Sequence, residues 1–291
     1  MSQPVKLISP YDLSQGDFPI GDYGQRFLAQ GDSWFSIGAI PPYKTTNVLE
    51  ELRLARWAVA VNCAAPGAVL RRMVDNVRAP LFVNLLRGNV AWAWSAVLVS
   101  GGGNDLIEAI GSPPSAPRAQ RLLLTPAERG VGGDAASYLS DEGWQTFSTY
   151  LGAVFNGLAD LRDSGINKPT PLLLHNYALL RPRPASAGAG FGPWLQPALV
   201  AFQVPEPAWL AIGELLMKRL GALLRELADA RVAAQPGAGP IQIIDSQSAQ
   251  LVLADAGSTG ASGDWANEIH PTRDGYAKVA ATWAEALDAL P

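Results

Sequence analysis

The chain has 291 residues, 48% of them hydrophobic and 16% charged, with a formal net charge of −4. That make-up belongs to a folded protein with a large apolar core and excludes a fibrous or disordered chain. The acidic balance and the lack of any basic run exclude nucleic acid and an anionic membrane surface as partners, because both need clustered Lys and Arg.

The N-terminus "MSQPVKLISPYDL" lacks the apolar run of a signal peptide, so a cytoplasmic location is expected. "RFLAQ", ending at Gln30, is a short apolar strand, and "NVLEELRLARW" after it has helical spacing. "AVAVNCAA" is a continuous apolar strand. It holds the only cysteine, Cys63, read as a buried thiol that acts as a small hydrophobe and forms no internal disulfide. "GAVLRRMVDNVRAPLFVNLLRG" is helical with a break at Pro80. The apolar stretch from Pro80 onward is interrupted by Asn84, Arg87, Gly88 and Asn89, and falls short of the roughly 20 apolar residues of a membrane helix, so no membrane insertion is expected.

"SAVLVSGGGND" is a strand running into glycines, and "SDEGWQTFSTYLGAVFNGLADLRDSG" is a helix capped at Ser140. "TPLLLHNY" is a strand, and "EPAWLAIGELLMKRLGALLRELADARV" a long helix with proline in its first turn. "PIQIIDS" is a strand and "RDGYAKVAATWAEALDAL" a closing helix. The strands are apolar throughout rather than alternating, as when both faces are covered. Five strands separated by helices predict a parallel sheet between two helical layers, a single α/β domain over residues 1–291. The stretch 178–207 breaks the rhythm with Pro, Gly and Ala but carries Phe191, Trp194 and Phe202, and is expected to be a lid or pocket wall.

In such a sheet, ligands sit beyond the carboxyl ends of the strands. Four strand ends carry polar groups: Gly31-Asp32-Ser33, Pro66-Gly67, Gly101-Gly102-Gly103-Asn104-Asp105, and "DWANEIHPT" with His270. A serine hydroxyl becomes a nucleophile when a base takes its proton, and histidine is the usual base at neutral pH. The negative charge of the tetrahedral intermediate needs donors fixed in advance. The backbone N–H groups of Ser33 and Gly67 and the amide of Asn104 are available for it. Asp32 and Asp105 are assigned to structure, as is His175, the other histidine. "SGGGND" lacks the Lys-Ser/Thr ending of a phosphate loop.

Gly31-Asp32-Ser33 with Trp34, Gly67, Gly102-Gly103-Asn104-Asp105 and His270-Pro271 resemble, in order, the four blocks of the SGNH (GDSL-like) hydrolases. The resemblance implies a flavodoxin-like three-layer α/β/α fold and a serine ester hydrolase acting on small-molecule esters without metal or organic cofactor. It implies Ser33 as nucleophile, His270 as base, and Ser33, Gly67 and Asn104 as the oxyanion hole. The family's aspartate three residues before the histidine is here Asn267. Asn267 is taken as the residue that orients His270, with Asp264 next and Glu268 and Asp245 as substitutes. Trp34, Trp194 and Trp265 are candidates for an apolar acyl or aryl pocket. Two other readings stay open on the same fold, a carbohydrate O-deacetylase and a catalytically silent binding module.

Overall fold

The computed structural model describes residues 2–14, 16, 18–36, 46–130 and 133–290. Its strands are β1 (Gln3–Pro4), β2 (Lys6–Ile8), β3 (Gln25–Gly31), β4 (Arg53–Leu54), β5 (Ala58–Asn62), β6 (Ala96–Ser100), β7 (Leu172–His175) and β8 (Ile241–Ile244). Its helices are α1 (Pro10–Ser14), α2 (Ser33–Ser36), α3 (Val48–Glu51), α4 (Leu70–Met73), α5 (Pro80–Arg87), α6 (Gly103–Ile110), α7 (Asp141–Asp163), α8 (Gln196–Ala201), α9 (Glu206–Ala234) and α10 (Arg273–Asp288).

Six strands form one sheet in the order β2-β5-β3-β6-β7-β8, every neighbouring pair parallel. One helical layer gathers α4, α5, α6 and α9 around α7; the other gathers α2 and α10 around α3. The architecture is the expected three-layer α/β/α sandwich. The central strands are buried almost throughout, β6 "AVLVS" completely, which is why they read as unbroken apolar runs.

Three expectations are corrected. Among the described residues the sheet has six strands, not five. The extra one, β2, sits at the edge and is only three residues long, with one residue exposed and one half-buried, so "KLI" carries no strand signal. The helix expected over 47–57 stops at Glu51, because Arg53 and Leu54 turn extended to pair antiparallel with Gln3 and Pro4. The break at Pro80 is present, but the helix expected before it is shorter than 67–79: α4 spans Leu70–Met73, and Pro80 opens α5.

Successive strands leave β3 in opposite directions, β5 to one side and β6 to the other. The carboxyl end of β3 is therefore a topological switch point, where a crevice opens between diverging connections. Ser33 lies there.

Candidate active site

β3 ends at Gly31 and the chain turns at once into α2, with Ser33 as its first residue. Asp32 holds this turn. Its Oδ1 accepts from Trp34 N at 3.0 Å, and its carbonyl accepts from Phe35 N at 3.2 Å and from Ser36 Oγ at 2.7 Å. Asp32 Oδ1 also accepts from Ser100 Oγ at 2.7 Å, and Oδ2 from Tyr177 OH at 2.5 Å. Burial pushes the Asp32 carboxyl up to about 6, against the pull of the Tyr177, Ser100 and Trp34 hydrogen bonds.

Because Ser100 donates to Asp32, the 2.9 Å contact of His175 Nε2 with Ser100 Oγ makes that nitrogen the donor. His175 Nδ1 then accepts from Ser246 Oγ at 3.0 Å. His175 is a fully buried structural link between strand ends, and burial pushes its imidazole down to about 3.

His270 lies in the loop before α10, and its Nε2 is 2.8 Å from Ser33 Oγ. Its Nδ1 is 3.0 Å from Asn267 Oδ1. The same oxygen accepts from Ile269 N at 3.1 Å and His270 N at 2.9 Å. Two backbone donors aim at it, so this end of the amide must be the oxygen. An oxygen only accepts, so His270 Nδ1 carries the proton and Nε2 is bare toward the Ser33 hydroxyl. Burial pushes the His270 imidazole down to about 4, which keeps it neutral at pH 7.

Of the candidate partners for His270, only Asn267 bonds its Nδ1. Asp264 Oδ2 is taken by Lys278 Nζ at 2.6 Å and Val252 N at 2.6 Å. Asp245 Oδ1 faces Asn176 Nδ2 at 2.6 Å and Arg225 Nη2 at 3.3 Å. Glu268 has another task. Its buried carboxylate accepts from the backbone N–H groups of Arg183, Trp194, Leu195 and Gln196. Arg183 in turn donates through Nη2 to Asn267 O at 2.9 Å. These bonds lace the stretch 183–196 to the histidine loop.

The loops bearing Gly67 and Asn104 are tied to the same place. Ala65 N donates to Gly31 O at 2.9 Å, and Asn104 Nδ2 donates to Ala68 O at 3.1 Å. Gly67 has φ +70 in an exposed turn, and Gly102 has φ +101 as the N-cap of α6, both backbone states that favour glycine. Asp105 braces the pair, accepting from Leu70 N and Tyr150 OH, each at 2.8 Å.

An apolar slot opens beside Ser33, lined in part by Trp34, Ile107, Leu180, Leu195, Met217 and Ile269. Of the three tryptophans expected to line a pocket, Trp34 does. Trp194 sets its ring edge-on to His270, centroids 5.2 Å apart. Trp265 is corrected: it is 1% exposed and packs as core against Trp34, with its Nε1 unpartnered among the described residues. The aliphatic lining and the Glu268 lacing carry no signal in the sequence. A Leu or Met in a slot has the same sequence signature as one in the core, and what a carboxylate binds depends on chain brought from elsewhere.

Among the described residues no helix is long and apolar enough to cross a membrane. No family model matches the chain, and no curated protein matches its sequence. Among solved structures it is similar to an alpha/beta hydrolase from the metagenome of Lake Arreo, at 15% identity over 92% of this chain and 97% of the other, TM-score 0.46. It is similar to a catalytic mutant of an acetylxylan esterase from Geobacillus stearothermophilus, at 12% identity over 91% and 94%, TM-score 0.45. A lipase from Streptomyces rimosus is 14% identical over 92% and 100%, TM-score 0.45. At these values the likenesses decide nothing about chemistry, which is read from the side chains.

Proposed function

We propose that this protein is a serine hydrolase of the SGNH type, cleaving carboxylic esters through an acyl-enzyme. One observation carries the reading: Ser33 Oγ, the His270 ring and Asn267 Oδ1 stand in line at 2.8 and 3.0 Å, with the bare ring nitrogen toward the hydroxyl. His270 Nε2 takes the Ser33 proton as Oγ bonds to the carbonyl carbon. The oxyanion is met by the N–H groups of Ser33 and Gly67 and the Asn104 amide. His270 then gives its proton to the leaving alcohol as the C–O bond breaks. Water, activated by the same ring, releases the acid.

In this reading the chain acts as one domain, and the stretch 178–207 serves as pocket wall. The Glu268 bonds support a fixed wall over a swinging lid. Ser33→Ala should lower p-nitrophenyl acetate turnover by on the order of 10³-fold or more, since only the binding and oxyanion groups remain. Turnover equal to the parent would falsify the assignment. The neutral Asn267 favours a second reading, a silent binding module; covalent labelling of Ser33 by a fluorophosphonate excludes it, and no labelling supports it.

A further inference from the structure

The slot beside Ser33 has a size, a lining and a direction. Its volume is ≈ 30 Å³. One water-sized group needs about 10–15 Å³, so the slot takes two or three such groups. Ile107 and Ile110 reach it from the face of α6 that begins at Gly103 and Asn104. Leu180 comes from the start of the wall, Leu195 from further along it, and Met217 from the buried side of α9. The lining carboxylate, Asp32, is occupied by Trp34 N, Ser100 and Tyr177, and the other polar lining groups, Ser33 and Asn104, are the proposed nucleophile and oxyanion donor, so no charged side chain of the lining is left to pair with a substituted acyl chain.

Direction follows from the base. The leaving oxygen must face His270 Nε2 to receive its proton, and among the described residues His270 does not line the slot. What fills the slot is therefore the other side of the ester carbonyl. We infer that it is an acyl pocket that restricts the protein to esters of short, unsubstituted aliphatic acids, of about two to four carbons, with Met217 as a specificity-determining residue. The inference rests on the ester-hydrolase reading and deepens it. A methylene that does not fit an apolar pocket costs about tenfold or more in kcat/KM.

The test is a series of p-nitrophenyl esters from acetate to octanoate on the parent, Met217→Ala and Leu180→Ala, with circular dichroism and Tm to show folding. The parent should peak between acetate and butyrate and fall at least about tenfold by hexanoate. A folded Met217→Ala, or Leu180→Ala if the first does not fold, should move the peak to longer chains by two or more carbons. A parent profile that is flat or rising to octanoate overturns the inference. So does a folded variant with the parent's profile. These failures leave Ser33 reactive toward a fluorophosphonate; a parent that hydrolyses no ester and takes no label overturns the hydrolase reading itself, and the acyl pocket with it.

Discussion

Asn267 puts a neutral oxygen where a carboxylate would carry charge. It holds the His270 ring and its tautomer as a carboxylate would, but does not offset the imidazolium that forms during attack. Asn267→Asp keeps an oxygen for the same three N–H donors and adds that charge. We expect kcat to rise about tenfold, an interaction of about 1.4 kcal/mol. The acid limb of kcat/KM should move with it. Under the proposed mechanism the parent needs neutral His270, so its activity should be lost as pH falls through about 4. A carboxylate beside the ring favours its protonated form, so in the variant the loss begins nearer neutrality. A pH–rate profile of both proteins checks this, and an unmoved limb would show that residue 267 does not act on the ring. Ser33, Gly67, Asn104 and His270 were legible because each is a polar or flexible residue just after an apolar strand or just before a helix. Trp265 was misplaced because a loop tryptophan looks the same in sequence whether it faces core or pocket.

At the scale of elements, the stretch 183–196, part of the proposed wall, and the histidine loop are one assembly. Glu268 ties together residues far apart in the chain, from Arg183 to Gln196 on one side and its own loop on the other. Glu268→Ala would leave four backbone N–H groups without their acceptor and Arg183 without its nearby carboxylate. A loss of about 3 kcal/mol or more in stability is expected, since each buried donor left without its acceptor costs about 1–3 kcal/mol. The stretch 186–191 is already exposed and should be cut faster in the variant by limited proteolysis. An unchanged Tm and cutting rate would show that the wall stands without this carboxylate. The irregular stretch was legible from its Pro and Gly content; its attachment was not, because the acceptor lies 72 and 73 residues further along from Gln196 and Leu195. The parallel order of the long strands followed from their unbroken apolarity, whereas edge strand β2 was too short and too exposed to show.

Taken whole, the molecule buries two neutral histidines and, among its carboxyls, the desolvated Asp32 at the end of its sheet. His175 and His270 bind a proton near pH 6.5 when unfolded, but only near about 3 and about 4 when folded. Stability that is full above pH 6.5 is therefore lost as pH falls. Asp32 acts the other way. Its folded value near 6 lies above the unfolded one, so its buried charge costs stability above about pH 6, and the cost is relieved as pH falls toward 4. The histidines outweigh it, for a net loss on the order of 4 kcal/mol by pH 4 from these three groups. These three groups pull Tm down from pH 7 to pH 4, and NMR titration should find both imidazoles still neutral well below the unfolded value of about 6.5; a ring that titrates near that value contradicts its burial. The hydroxyl and the base it meets are 237 positions apart, and the exposed stretch 186–191 lies between them. A single nick there would divide the polypeptide into a front piece bearing the proposed nucleophile and a rear piece bearing the proposed proton acceptor; each should be inert alone, so turnover regained on mixing would report their reassociation.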